Sequence, residues 1–419
     1  MSIWIEASGW WCYHNYIMKS LLVFPAQWYP TQPYLSTPYL CSYLREKNWD
    51  VTQRDFNMES YDHFLSPNSL EKIVSKMEDR QTILKSKKSF SFKEKSLMDV
   101  LATGIKFAPT IISEVNDAKQ VMRTPERFFD FKAYKQADMI IKSALKLVSD
   151  AFSPSILTLS TFESGVRAEE STQRTTEFAR SSDVNPFIDL YENVLLPSES
   201  WENYNLVGIS IVGISQILPG LTLARMLKEK YPHLHITLGG PIFSVNSKQL
   251  MGHPEFFQEF CDSIVTFEGE EPLHRLLTTL KNGSTLKNVP NLLFYENGKI
   301  EHNKERVELR FEEMPPPTFD GLPMNLYLSP YPILPVLQSR GCYWGKCTFC
   351  THSFIYGHRY GKQRTEQMVD ELENLARKYK TKYFTFSDEA VSPHSLNDVS
   401  EEIIKRDVDI KSLALLKFE

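Results

Sequence analysis

Hydrophobic positions along this chain follow two rhythms, and their alternation predicts its architecture. Short continuous apolar runs suit strands buried on both faces, whereas apolar residues three and four apart suit helices with one buried stripe. SLLVFPA (20–26) is such a run. STPYLCSYLREKNW then places Leu40, Tyr43 and Leu44 on one helical face, and DVTQRDFN (50–57) reads as a second strand. The same rhythm returns at NLVGISIV (205–212), followed by a helical ILPGLTLARMLKEKYP and the strands HITLGGP and DSIVTFEGE. The helix EPLHRLLTTLKNG comes next, closed by Gly283. Strand–helix alternation of this kind predicts a doubly wound parallel α/β sheet.

Residues 58–200 break the pattern. SLEKIVSKMED, EKSLMDVLATGIKFAPTIISEVNDA and YKQADMIIKSALKLVSDAF have helical spacing and few strand signals, so a helical insert is expected, with a polar, loop-rich tail. Residues 284–330 read as a connector. NLLFYENGKIEHN predicts a hairpin turning at Asn297-Gly298, ERVELRFEEMPPP a solvated stretch, and MPPPTFDGLP an extended proline-rich link. YPILPVLQSR is then an apolar strand that runs into RGCYWGKCTFCTHS (340–353).

Composition narrows the function classes. At 419 residues the chain accommodates two or three domains. A formal net charge of −5 argues against a nucleic-acid partner, which requires a basic face. No apolar stretch reaches the roughly 20 residues of a membrane span. Residues 1–17 lack the basic front and apolar middle of a signal peptide and read as an extension, with Met18 as an alternative start. Cys41 and Cys261 are scattered and suit buried small hydrophobes, and the cysteine pattern suits a cytoplasmic protein.

Three of the six cysteines, Cys342, Cys347 and Cys350, fall within nine positions as C-x4-C-x2-C. A zinc site completed by His352, or a redox pair from Cys347 and Cys350, are the alternatives to a 4Fe–4S cluster. Three clustered thiolates suit the cluster best: they bind three irons and leave the fourth open. His233, His235 and His358 carry no ligand expectation.

Strand, RGCYWGKCTFC and helix together resemble the radical S-adenosylmethionine enzymes, with four rather than three residues between the first two cysteines. FPAQW, LVGISIV, ITLGGP and IVTFEGEEPL resemble the cobalamin-binding domain found in front of such barrels. The resemblance implies an α/β fold: an N-terminal Rossmann-like, doubly wound cobalamin-binding domain over 18–283, with its helical insert at about 58–200. The connector over 284–330 then leads to the first part of a radical S-adenosylmethionine (β/α) barrel over 331–419. At ~30 residues per βα unit, that last stretch holds two units and a third strand, KSLALLKFE. An incomplete barrel is therefore expected, inactive alone or completed by a second chain.

By resemblance, Cys342, Cys347 and Cys350 hold the 4Fe–4S cluster, and Phe349, Asp388 and Glu389 lie beside S-adenosylmethionine. Ser210, Gly239, Gly240, Gly269 and Glu270 lie along cobalamin. The loop PAQWYPTQPYLSTP has neither aspartate nor histidine, so a base-off cobalamin without a histidine ligand is expected, with Trp28 and Tyr29 toward its lower face. The implied activity is methyl transfer to an unactivated carbon of a small molecule or peptide, with flavodoxin or ferredoxin as electron donor. A radical cyclase or oxidative enzyme, a non-catalytic cobalamin-binding module and a zinc-stabilised interaction protein are the alternatives.

Overall fold

A computed structural model describes residues 18–307, 309–356 and 359–417. The expected extension over 1–17 and His358 lie outside them. Seven strands form the first sheet: β1 (Lys19–Phe24), β2 (Asp50–Asp55), β3 (Leu206–Ser210), β4 (His235–Gly239), β5 (Ser263–Val265), β6 (Leu292–Glu296) and β7 (Lys299–His302). Their spatial order is β2-β1-β3-β4-β5-β6-β7. The first five are parallel, and the order reverses between β1 and β3.

The hairpin expected inside the connector belongs instead to this sheet. β6 pairs antiparallel with β5, and β7 with β6. Asn297 and Gly298 both have positive φ, as the predicted tight turn requires. The sheet is thus mixed, not wholly parallel, and the connector proper starts after His302. Antiparallel pairing needs only a two-residue turn, so Asn-Gly extends the sheet without a crossover helix.

β1 is buried on both faces, and its alternate residues feed two cores. Leu21 and Val23 pack into a core with the helical insert, whereas Leu22 packs with Leu206, Val265 and the second unit. Helix α1 (Ser36–Glu46) covers the second face through Tyr39, Cys41 and Leu44. The insert comprises α2 (Phe56–Phe64), α3 (Pro67–Lys85), α4 (Phe92–Arg123) and α5 (Phe131–Ala151). α4 begins at a capping box in which Ser91 and Glu94 exchange side-chain and backbone hydrogen bonds. Met77, Leu101, Val115, Ile141 and Val148 are fully buried between these helices, each stabilising the fold by about 1.5–3 kcal/mol. Helices α6 (Ile217–Lys230) and α7 (Glu270–Asn282) complete the first unit, and Gly283 closes α7 in the left-handed conformation.

The second unit is a three-stranded parallel sheet, β8 (Ile333–Val336), β9 (Tyr383–Val391) and β10 (Lys411–Leu416), in that order. Helices α8 (Thr365–Tyr379) and α9 (Pro393–Lys405) connect them. The connector leaves β7 at one edge of the first sheet and reaches the other edge. There the Gln53 amide of β2 donates to the Thr318 and Asp320 carbonyls at 2.7 and 3.1 Å. The Tyr327 hydroxyl donates to Asp55 at 2.5 Å. Among the described residues no helix is long and apolar enough to cross a membrane.

Candidate functional site

In an open parallel sheet, ligands sit outside the carboxyl ends of the strands where the order reverses. The loops after β1 and β3 meet at that point, and buried Gln216 ties them together. Its amide donates to the Pro25 carbonyl (2.8 Å), and its carbonyl accepts from the Val212 N–H (2.9 Å). Asn57 Oδ1 of α2 accepts from the Trp28 N–H at 2.8 Å and fixes the first loop from the other side. Trp28 packs over Gly213, where an added Cβ would lie 2.6 Å from the indole.

A cavity of about 590 Å³ opens over these loops. All five residues expected along cobalamin line it: Ser210, Gly239, Gly240, Gly269 and Glu270. Gly240 is required by its backbone: φ is +125°, and an added Cβ would sit 2.0 Å from the Ile211 carbonyl oxygen. Trp28, Tyr29 and Tyr34 supply aromatic wall. The opposite wall comes from the second unit, through Arg340, His352, Ser387 and Glu389.

The cysteines follow directly from that wall. Ser339–Arg340 pairs antiparallel with Gly361–Lys362, and Gly341 (φ +82°) turns the chain into the loop. Cys342 and Cys350 are half-buried and Cys347 is exposed; all three are free thiols. Among the described residues no three His, Cys, Asp or Glu side chains converge as metal ligands, so the loop presents its thiols separately. The donor chemistry nevertheless suits a soft, thiolate-bound iron centre.

The other expected contacts divide. Glu389 lines the cavity and its carboxylate meets His352 Nδ1 at 2.8 Å, a hydrogen bond that raises the imidazole pKa. Asp388 does not line it. Its carboxylate is committed to the end of β8, accepting from the Gln338 N–H (3.0 Å), the Ser339 N–H (2.6 Å) and the Ser339 hydroxyl (2.5 Å). Those N–H groups leave the strand ladder and are buried, so they need an acceptor. Phe349 is 88% exposed and stands away from the cavity.

Arg340 is the residue the sequence reading missed. Its guanidinium reaches Glu270 at 2.5 Å and Glu268 at 3.4 Å, across the two units. It also lies 5.3 Å from the Tyr39 ring and 5.2 Å from the Phe311 ring. Burial alone would lower its pKa, but the two carboxylates outweigh burial and hold it above the ordinary value. Burial, and then the neighbouring Glu270, raise that of Glu268. The available signal was an arginine abutting the cysteine motif together with the acidic run Glu268–Glu271, charges that need partners once buried.

With motif and fold in place, the chain is similar to named methyltransferases and, in fold, to cobalamin-dependent radical S-adenosylmethionine enzymes. No family model matches it. It is 29% identical over 213 residues to an uncharacterised methyltransferase of Pyrococcus horikoshii, an alignment covering 49% of this chain and 44% of the relative. It is 25% identical over 201 residues to the hopanoid C-3 methylase of Methylococcus capsulatus, covering 45% and 35%. Among solved structures, the radical S-adenosylmethionine methyltransferase TsrM of Kitasatospora setae, with cobalamin and a [4Fe-4S] cluster bound, matches with a TM-score of 0.48. That match has 14% identity and covers 96% of this chain and 55% of the other. The chain spans less than half the length of the curated relatives it matches.

Proposed function

We propose that the chain is a cobalamin-dependent radical S-adenosylmethionine enzyme that transfers a methyl group to an unactivated carbon. One observation carries this reading: a glycine-lined crevice at the switch point of the first sheet and the residues flanking a three-cysteine loop line one cavity. The two relatives named above are both methyl-transferring enzymes by name.

Cys342, Cys347 and Cys350 would hold the 4Fe–4S cluster, and Ser210, Gly239, Gly240 and Gly269 would hold cobalamin along the strand ends. The bound cofactors supply one-electron cleavage of S-adenosylmethionine and a transferable methyl group, and the protein supplies position and exclusion of water. A flavodoxin- or ferredoxin-type donor would provide the electron.

The chain's own residues have separable tasks. Asp388 fixes the backbone from which the cysteine loop departs. Arg340, held by Glu268 and Glu270, locks that backbone to the strand ends of the first unit. Glu389, oriented by His352, presents carboxylate to the cavity and suits the ammonium group of S-adenosylmethionine. Leu22, Val265 and Leu273 close the wall with apolar surface. The first loop offers aromatic rings and no imidazole, which favours a base-off cobalamin without a protein histidine on its lower face.

The deciding experiment is anaerobic reconstitution followed by iron, sulfide and corrinoid analysis and an assay for 5′-deoxyadenosine. The expected result is about four irons and four sulfides per chain, lost when the three cysteines are replaced by alanine, with corrinoid retained. Zinc without labile sulfide would refute the reading.

A further inference from the structure

A second cavity, of about 620 Å³, lies between the helical insert, the first loop and the second sheet. Its wall is a chain of aromatic rings. Phe128 meets Tyr134 edge-on at 5.1 Å, Phe129 meets Tyr331 at 6.5 Å, and Tyr331 stacks on Tyr383 at 4.3 Å and 16°. Met122, Ile141, Leu159 and Leu328 fill in between. Phe129, on the wall, is 69% exposed, a large apolar surface left uncovered.

Two charged residues border the space. Asp138 is already paired with Lys142 at 2.7 Å. Lys411, at the start of β10, has no carboxylate partner among the described residues: its neighbour Asp409 pairs with Lys382 at 2.8 Å instead. The cavity therefore offers stacking surface and one uncompensated cation.

We propose that this cavity binds a ring-bearing, apolar small molecule that carries an acidic group, its rings among the aromatic side chains and its acid at Lys411. The volume is that of a small-molecule site. Aromatic pairs add about 0.5–1.5 kcal/mol beyond area burial, and a charge-assisted hydrogen bond selects the acid over its neutral analogues. Tyr29 and Thr31 line both cavities, so the first loop forms part of the wall of each. Its identification as the substrate rests on the function proposed above; the binding itself does not. This assignment gives the helical insert, which contains no catalytic motif, a task.

The test uses the full chain and three probes measured by calorimetry: 2-naphthylacetate, its amide, and 2-naphthylethylamine. The acid is expected to bind tightest and the amine weakest. Lys411→Met is expected to weaken the acid about tenfold and the amide by less than about twofold. Phe129→Ala and the cavity-filling Leu159→Trp are expected to weaken all three. Lys411 and Phe129 are exposed, so their variants leave the core intact. Absence of binding at about 1 mM, equal affinity for acid and amine, or unchanged affinity in Lys411→Met and Leu159→Trp would each overturn the assignment. Reconstitution without iron or corrinoid would sink the proposed function and leave these binding constants unmoved.

Discussion

Asp388 Oδ1 accepts two hydrogen bonds from one residue, the backbone N–H and the hydroxyl of Ser339, three positions before the first cysteine of the cluster motif. Asp388 is 2% exposed, and burial raises its pKa while these bonds oppose the rise. Asp388→Asn replaces an acceptor-only group with one that carries its own donors. At least one buried N–H then loses its partner, at a cost of about 1–3 kcal/mol. The expected outcome is a lower melting temperature and reduced iron after reconstitution, while corrinoid affinity stays near that of the parent protein. Equal loss of iron and corrinoid would mean that Asp388 supports the whole fold and not the loop.

Arg340 compensates two carboxylates at once, buried Glu270 and half-buried Glu268. Arg340→Met leaves buried Glu270 without its ion-pair partner and Glu268 with Arg359 as its remaining neighbouring cation, and removing one partner of a buried pair costs about 3–5 kcal/mol. Chemical denaturation should register this loss. Adding Glu270→Gln to Arg340→Met should restore part of it, because one uncompensated charge disappears. A double variant no more stable than the single would show that the ion pair is not what joins the two units.

Gly240→Ala tests the crevice. The methyl group would strike the Ile211 carbonyl and the backbone would be strained at positive φ. Titration with hydroxocobalamin, followed by absorbance, should show affinity reduced at least about tenfold. Gly298→Ala is the control: φ is also positive, but nothing lies within 4 Å of the added carbon and the turn is remote from the cavity. It should bind corrinoid as the parent protein does.

Glu371 introduces a pH dependence. It is buried on α8, its Oε2 accepts from the Gln363 amide at 3.1 Å, and burial pushes its pKa up to about 7. Below the ordinary carboxyl value near 4.5 both folded and unfolded forms are protonated. Between 4.5 and 7 the unfolded chain ionises first, so stability falls as pH rises, by about 3 kcal/mol across the window. Glu371→Gln should remove that slope and raise the melting temperature at pH 8 relative to the parent protein. An unchanged difference between pH 5 and pH 8 would contradict it.

Periodicity made the first sheet legible, because strands buried on both faces are written as continuous apolar runs such as Leu21–Phe24 and Leu206–Ile209. Gly240 was legible too, since the strand end at the switch point places it at a positive φ against the Ile211 carbonyl, which only glycine tolerates. Three features were not. The hairpin at Asn297-Gly298 has the same local pattern whether it stands alone or joins a sheet; only the pairing of Leu292 with Val265 decides. Asp388 and Glu389 are adjacent, so strand alternation sends one inward to the backbone and the other to the cavity, and the sequence does not say which. The Arg340–Glu270 contact joins residues 70 positions apart and depends on how the two units dock.

The run from His302 to Ile333 has a mechanical meaning. It starts at one margin of the first sheet and is fastened by Gln53 and Asp55 at the far margin, six strand spacings or roughly 29 Å away. A belt buckled on both sides ties the two halves together, so heat is expected to release both in one calorimetric step.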